Sequence, residues 1–105
     1  MIDVDPQVVE ECRQIAATWS RVLRALAKEE RLLIALWLAE CECTVRELES
    51  VTGLSQSLVS YHLAELRKAG LVIASSRGRS NRYRLAGSDL DQLATVIGNL
   101  KGAAG

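Results

Sequence analysis

Residues 44–70 read TVRELESVTGLSQSLVSYHLAELRKAG and carry the local signals of two short helices joined by a tight turn. Thr44, followed three residues later by Glu47, forms a capping box in which each side chain satisfies a backbone N–H that the first helical turn leaves unpaired. Gly53 supplies the left-handed residue that ends a helix, and Ser55 can cap the next one. Because a second glycine closes the stretch, the pattern predicts a helix-turn-helix.

The second of these helices has one apolar face and one polar face. Val59, Leu63 and Leu66 follow each other at spacings of four and three, so they share a side that can pack inward. The other side is small and uncharged near its start, as a helix entering a major groove requires, although a solvated surface is the alternative. The residues expected to contact DNA from this helix, including the only histidine, are Ser55, Gln56, Ser57, Ser60, Tyr61 and His62.

Charge is strongly segregated along a chain whose net charge is zero. Residues 1–54 carry six Lys/Arg and ten Asp/Glu, whereas residues 55–84 carry six Lys/Arg against Glu65 alone. A basic surface confined to the second helix and the segment after it is typical of contact with phosphates.

The segment after Gly70 predicts a β-hairpin. Residues 71–75 are apolar and β-branched, residues 81–85 alternate polar with apolar, and the intervening turn contains Gly78. Such a basic hairpin can lie along a phosphate backbone or reach into the minor groove, and an ordinary solvated tip is the alternative. The arginines expected to hold phosphates are Arg67, Arg77, Arg79 and Arg82.

Apolar helices are expected on both sides of this region. Asp5 and Pro6 open a long helix with an apolar residue at every third or fourth position. Residues 29–39 are apolar on almost every side and predict the main core helix. Ser88 caps a last helix, and the two tryptophans are expected in the core or a dimer interface. The apolar stripe of the last helix is Leu90, Leu93, Ile97 and Leu100.

Length and composition narrow the class of protein. The 105 residues suffice for a single domain, 1–105. A partner subunit would help a domain of this size to bury more of its surface. No apolar run approaches the ~20 residues that cross a bilayer, and the N-terminus lacks signal-peptide features, so we expect a cytoplasmic protein without membrane contact. With one histidine, no glycine-rich phosphate loop and no paired nucleophile and base, an enzyme is not expected.

Together these elements predict a mainly α, α+β fold of order α-α-α-α-β-β-α, a winged helix-turn-helix. The most specific positions in this arrangement are Leu26, Ala27, Arg31, Ile34, Glu47, Leu48, Gly53, Leu54, Ser55, Val59, Ser60, Tyr61, His62, Leu63, Leu66, Gly70, Leu71, Val72, Gly78, Arg79, Tyr83 and Leu85. On these residues, within 20–100, the sequence resembles the ArsR/SmtB family of small bacterial repressors, with Lys28-Glu29 where that family often has Asp-Pro.

The resemblance implies a homodimer held by the first and last helices. Such a dimer binds double-stranded DNA at an inverted-repeat operator and is released when an effector binds. The apolar stripes of both helices support a dimer independently, because a domain this small has no second place to bury them. A winged helix that serves only as a protein-interaction or dimerisation module is the alternative from another class.

The resemblance also implies a metal ion as effector, and no other cofactor is expected. The last helix carries no histidine, so the cysteines Cys41, Cys43 and Cys12 are the candidate ligands, although Cys43 lies four residues before the Glu-Leu pair of the third helix. Three thiolates suit a soft ion such as Cd(II), As(III) or Cu(I), and Glu40 and Glu42 could add oxygen ligands for Zn(II) or Ni(II). In the alternatives, Cys12 is a packed small hydrophobe and the other two sense oxidation or nothing.

Overall fold

The computed structural model describes residues 3–86, which form four helices followed by a two-stranded antiparallel sheet. The helices are α1 (Pro6–Leu26), α2 (Glu29–Glu40), α3 (Val45–Thr52) and α4 (Gln56–Lys68), and the strands are β1 (Val72–Arg77) and β2 (Ser80–Leu85). This order confirms the winged helix-turn-helix fold, and the last predicted helix, from Ser88, lies outside the described residues. Within residues 3–86, no helix combines the length and apolar character needed to cross a membrane.

The turn between α3 and α4 is built from the predicted local signals. Thr44 and Glu47 form the capping box, with N–H···O distances of 2.9 and 3.1 Å. Gly53 ends α3 with a φ of 75°, and the Ser55 hydroxyl accepts from the Leu58 N–H over 3.2 Å. Each group satisfies a backbone atom that a helix end leaves free, so the turn is specified by sequence-local contacts.

The core forms where α4 packs against α2 and α3. The predicted inner face of α4, Val59, Leu63 and Leu66, is at most 2% exposed. Ile34 of α2 and Leu48 of α3 lie in the same cluster and are fully buried. Burying an aliphatic side chain of this size contributes about 1.5–3 kcal/mol, so this face holds α4 in place.

Helix α2 is less buried than its composition predicts. Its inward face is Arg31, Ile34, Ala35 and Leu38. The opposite face, predicted as core, is exposed in this chain, and Leu36 reaches 59% exposure. An all-apolar helix buries only the sides that have neighbours, which the sequence of the helix does not reveal. The exposed apolar residues of α2 are Leu32, Leu33, Leu36 and Trp37.

The hairpin is longer and its turn tighter than predicted. The strands pair from Val72–Leu85 to Arg77–Ser80, which leaves Gly78 and Arg79 as a two-residue turn. Gly78 has a φ of 65°, and within residues 3–86 only glycines have a positive φ. A single positive φ at the first turn position is the pattern of a type II′ hairpin, which needs glycine there.

An isolated β-bridge joins the connection before α3 to the second strand of the hairpin. The Cys43 N–H donates to the Tyr83 carbonyl over 3.0 Å, and the Tyr83 N–H donates to the Cys43 carbonyl over 2.8 Å. This bridge fixes where β2 lies relative to the start of α3.

A buried arginine–histidine contact links α2 to α4. Arg31 and His62 are 7% and 4% exposed, and Arg31 Nε donates to His62 Nδ1 over 3.4 Å. This burial disfavours the predicted contact of His62 with DNA, because its position on α4 adjoins the buried Val59, Leu63 and Leu66. Burial and the Arg31 guanidinium lower the pKa of His62 below its ordinary value of 6.5, so the ring is a neutral acceptor.

We therefore expect the free energy of unfolding to fall as the pH drops below 6.5. In this window the unfolded chain binds a proton at His62 that the folded ring resists, so stability is present above pH 6.5 and is lost as pH falls. Urea denaturation between pH 7.5 and about 5.5, above the range where carboxylates titrate, measures this slope. His62 is the only histidine, so His62→Gln should remove the slope. Equal slopes in both proteins would contradict the lowered pKa.

Candidate nucleic-acid interface

The first two turns of α4 present a polar surface to solvent. Because Val59, His62 and Leu63 point into the core, Gln56, Ser57, Ser60 and Tyr61 lie on the outward side of the helix. Ser55 accepts the Leu58 N–H as a helix cap and keeps its hydroxyl proton for donation. This surface can donate and accept hydrogen bonds, as base edges require. Its exposed polar residues are Ser55, Gln56, Ser57, Ser60 and Tyr61, and Leu58 is exposed among them.

The start of α4 and the start of β2 border the same groove. Gln56 of α4 faces Ser80 and Asn81 of β2 across a cavity of about 520 Å³. Arg46 and Glu49 of α3 also line this groove. The helix and the hairpin are therefore on one side of the molecule, which is the arrangement that simultaneous contact with one duplex requires.

The predicted phosphate-binding arginines are not all equivalent. Arg79 is exposed in the hairpin turn, and the side chain of Arg77 lies outside the described part. Arg67 is exposed in the last turn of α4, about 16 Å along the helix axis from Gln56. The structure therefore does not group Arg67 with the polar surface at the helix start.

Arg82 makes contacts inside the protein. Its guanidinium lies 3.8 Å from a carboxylate oxygen of Glu42 and 3.6 Å from one of Glu47. Glu47 also accepts from the Thr44 N–H, and its hydrogen bonds with Thr44, together with Arg82, keep its pKa below the ordinary value. Arg82 is half-buried and ties β2 to the start of α3, which differs from its predicted role as a phosphate ligand.

The cysteines form a pair rather than a group of three. The sulfurs of Cys41 and Cys43 are 3.8 Å apart, while Cys12 is exposed on α1. Two thiolates on one tetrahedral ion with bonds of about 2.3 Å would be about 3.8 Å apart, so the pair fits a shared ion. Among residues 3–86 no group of three His, Cys, Asp or Glu could hold a metal, so one chain does not assemble the predicted three-thiolate site.

The two thiols of the pair differ in environment. Cys41 is exposed, whereas Cys43 is buried and is bridged to Tyr83 of β2. Burial, with the neighbouring Cys41 thiol, raises the pKa of Cys43 to about 11. Cys43 is therefore protonated at neutral pH, and a metal ion would have to displace that proton.

Arg31 is a residue whose role the sequence analysis missed. It contacts both His62 and the face of Tyr61, with its Cζ 5.8 Å from the Tyr61 ring centroid. The sequence does indicate that Arg31 is buried. It lies three residues before Ile34 and in phase with Leu38, which places it on the inward side of α2. A charged residue in that phase indicates a buried charge with specific partners.

Several known proteins are similar to this chain in sequence and in fold. The model of the family described as "Bacterial regulatory protein, arsR family" matches residues 28–74. The transcriptional regulator CmtR of Mycobacterium bovis is 39% identical over 89 residues, which span 85% of this chain and 73% of CmtR.

Two solved structures are also similar. Reduced HlyU from Vibrio cholerae has a TM-score of 0.74 and 34% identity, covering 87% of this chain and 96% of that one. The homodimeric winged helix-turn-helix DNA-binding domain of Mb0332 from Mycobacterium bovis has a TM-score of 0.67 and 30% identity, covering 97% of this chain and 91% of that one. The chain therefore belongs to the ArsR family of bacterial regulatory proteins, which are DNA-binding transcriptional regulators and not enzymes.

Proposed function

We propose that the chain is a homodimeric repressor that binds an inverted-repeat operator in the cytoplasm. The observation that carries this proposal is the groove shared by the polar start of α4 and the start of β2. In this proposal Arg79 holds phosphate from the hairpin turn, while His62 and Arg82 support the surface from inside. The residues proposed to approach base edges are Gln56, Ser57, Ser60 and Tyr61.

Loss of a phosphate contact changes the salt dependence of binding, whereas loss of a base contact changes sequence preference. The two measurements therefore separate the roles of Arg79 and Gln56. Arg79→Ala should weaken binding to all duplexes and lower the slope of log K against log salt by about 1. Gln56→Ala should instead relax sequence preference, at about 1–3 kcal/mol for the base that it contacts. Gel shifts on duplexes selected from a random pool, at several salt concentrations, measure both effects.

Arg13→Ala is the control for a change of charge alone, because Arg13 is exposed on α1 and lies near Glu10. It should leave both affinity and sequence preference unchanged. If Arg79→Ala and Gln56→Ala both kept full affinity and preference, these roles would be wrong. If no duplex bound the wild type, the interaction-module alternative would stand.

The proposed dimer is supported by the apolar surface that one chain leaves uncovered. Val8, Ile15 and Leu23 of α1 are exposed, as are Leu36 and Trp37 of α2. A two-fold axis would bury this surface and place two copies of α4 about one turn of DNA apart, which matches an inverted repeat. The similar DNA-binding domain of Mb0332 is itself homodimeric. We propose that α1 and the segment from residue 88 onward form most of the interface, with the exposed face of α2 beside them.

A charge at the centre of this surface should separate the subunits. Ile15→Glu places an unpaired carboxylate in the proposed interface, and we expect the dimer dissociation constant to rise at least about tenfold. Gln14→Glu, one residue away, adds the same charge to α1 as a control. Sedimentation equilibrium measures both variants. A wild type that is monomeric at concentrations where it binds DNA would contradict the dimer.

We further propose that an effector acts at Cys41 and Cys43. The sulfur separation of 3.8 Å supports a soft ion, and the backbone bridge from Cys43 to Tyr83 offers a direct route to the hairpin. A shift of Cys43 toward a bound ion would move β2, and with it the proposed DNA contacts of the turn. Thiolate ligands suit Cd(II), As(III) or Cu(I), while Zn(II) or Ni(II) would need added oxygen ligands such as Glu42. Redox sensing and an effector-free regulator remain the alternatives.

Metal titration of cysteine variants discriminates these alternatives. Cd(II), As(III), Cu(I), Zn(II) and Ni(II) are added to the DNA complex while tryptophan fluorescence and DNA release are followed. We expect wild type and Cys12→Ser to release DNA, and the Cys41→Ser/Cys43→Ser double variant to remain bound. Release lost in Cys12→Ser would instead indicate a three-thiolate site completed by the dimer. Release by peroxide alone would favour redox sensing, and no release would favour an effector-free regulator.

A further inference from the structure

A second cavity lies at the end of α4 that is remote from the groove beside β2. It has a volume of about 550 Å³ and lies between α1, the start of α2 and the last turn of α4. Three alanines leave room for it, and charged side chains dominate the rest of its lining. These are the cations Arg21, Arg24, Arg31 and Lys68 and the single carboxylate Glu65.

The carboxylate does not neutralise these cations. Glu65 pairs with Lys68 over 3.2 Å, which leaves three guanidinium groups. Among residues 3–86, none of Arg21, Arg24 and Arg31 has a carboxylate oxygen within 4 Å. Like charges that share a concave surface repel one another and raise the local concentration of anions.

Among these cations, Arg31 most strongly favours a bound anion, because its charge is buried. The side chain donates to the Ala25 carbonyl over 3.2 Å and to His62 Nδ1 over 3.4 Å, and it lies over the ring of Tyr61. All three partners are neutral. Neutral acceptors satisfy the N–H groups of a guanidinium but do not balance its charge, and an unbalanced buried charge is costly.

We propose that this cavity binds a small multivalent anion, a molecule with two or more carboxylate or phosphate groups. Guanidinium groups bind carboxylate and phosphate in a bidentate manner, and three of them favour more than one anionic group. The cavity volume lies within the usual range of small-molecule sites. Arg21 and Arg24 are exposed at its rim, and Arg31 forms its buried base.

Arg31 also connects this site to the proposed DNA-binding surface, and this step rests on the proposed function. Arg31, which lines the cavity, also places its guanidinium over the ring of Tyr61, an exposed residue at the start of α4. An anion that draws Arg31 toward the cavity would weaken its contacts with Tyr61 and His62. It would also reduce the positive charge of a DNA-binding protein, so the anion lowers operator affinity.

Calorimetric titration with citrate or inorganic phosphate tests binding without DNA. Potassium chloride keeps the ionic strength constant, and the full chain is used. We expect saturable binding of one citrate per chain, and an affinity at least about tenfold lower in Arg21→Gln/Arg24→Gln. Both arginines are exposed, so the fold should persist, which circular dichroism and sedimentation check. Arg13→Gln, on the exposed surface of the same helix, is the matched control and should bind as wild type does.

Several results would overturn the proposal. These are no saturable binding up to about 10 mM of either probe, or equal affinity in the double variant and wild type. In the DNA arm, citrate should weaken wild-type binding by about tenfold beyond potassium chloride and leave the double variant unaffected. A chain that binds citrate but no duplex would retain the site and contradict the proposed function instead.

Discussion

The packing of Val59, Leu63 and Leu66 onto α2 and α3 determines what the rest of the molecule can present. These side chains are buried almost completely, and together they contribute several kcal/mol to holding α4 in place. Their spacing also fixes the rotation of α4 about its axis. The serines, Gln56 and Tyr61 face outward because the aliphatic side chains face inward, so the polar surface follows from the apolar one.

The position of the hairpin relative to α4 depends on a different kind of contact. Two backbone hydrogen bonds join Cys43 to Tyr83, and Arg82 adds ion pairs at 3.6 and 3.8 Å. Ion pairs between partly exposed side chains contribute little, typically 0–1 kcal/mol. The backbone bridge therefore does more to hold β2 against the start of α3. The bridge therefore links the cysteine connection directly to the hairpin.

Features set by neighbours in the sequence were predictable, and features set by tertiary neighbours were not. The capping box of Thr44, the left-handed Gly53 and the inner face of α4 each depend on residues within one or two turns. The hydrogen bond between Arg31 and His62 joins positions 31 residues apart, and the bridge of Cys43 to Tyr83 spans 40 positions. The sequence likewise predicts Arg82 of β2 as a phosphate ligand, because it does not show that Glu42 and Glu47 lie beside the guanidinium.

The environment of Cys43 bears on which effectors the pair can sense. Oxidation begins with a thiolate, and a thiol with a pKa of about 11 is ionised in only about one molecule in 10⁴ at neutral pH. A soft metal ion does not face the same limit, because its bond to sulfur stabilises the thiolate and displaces the proton. Cys41 is exposed and 3.8 Å away, so an ion held there first would meet Cys43 without a large movement. Burial thus disfavours a peroxide reaction at Cys43 more than it disfavours capture of an ion already bound to Cys41.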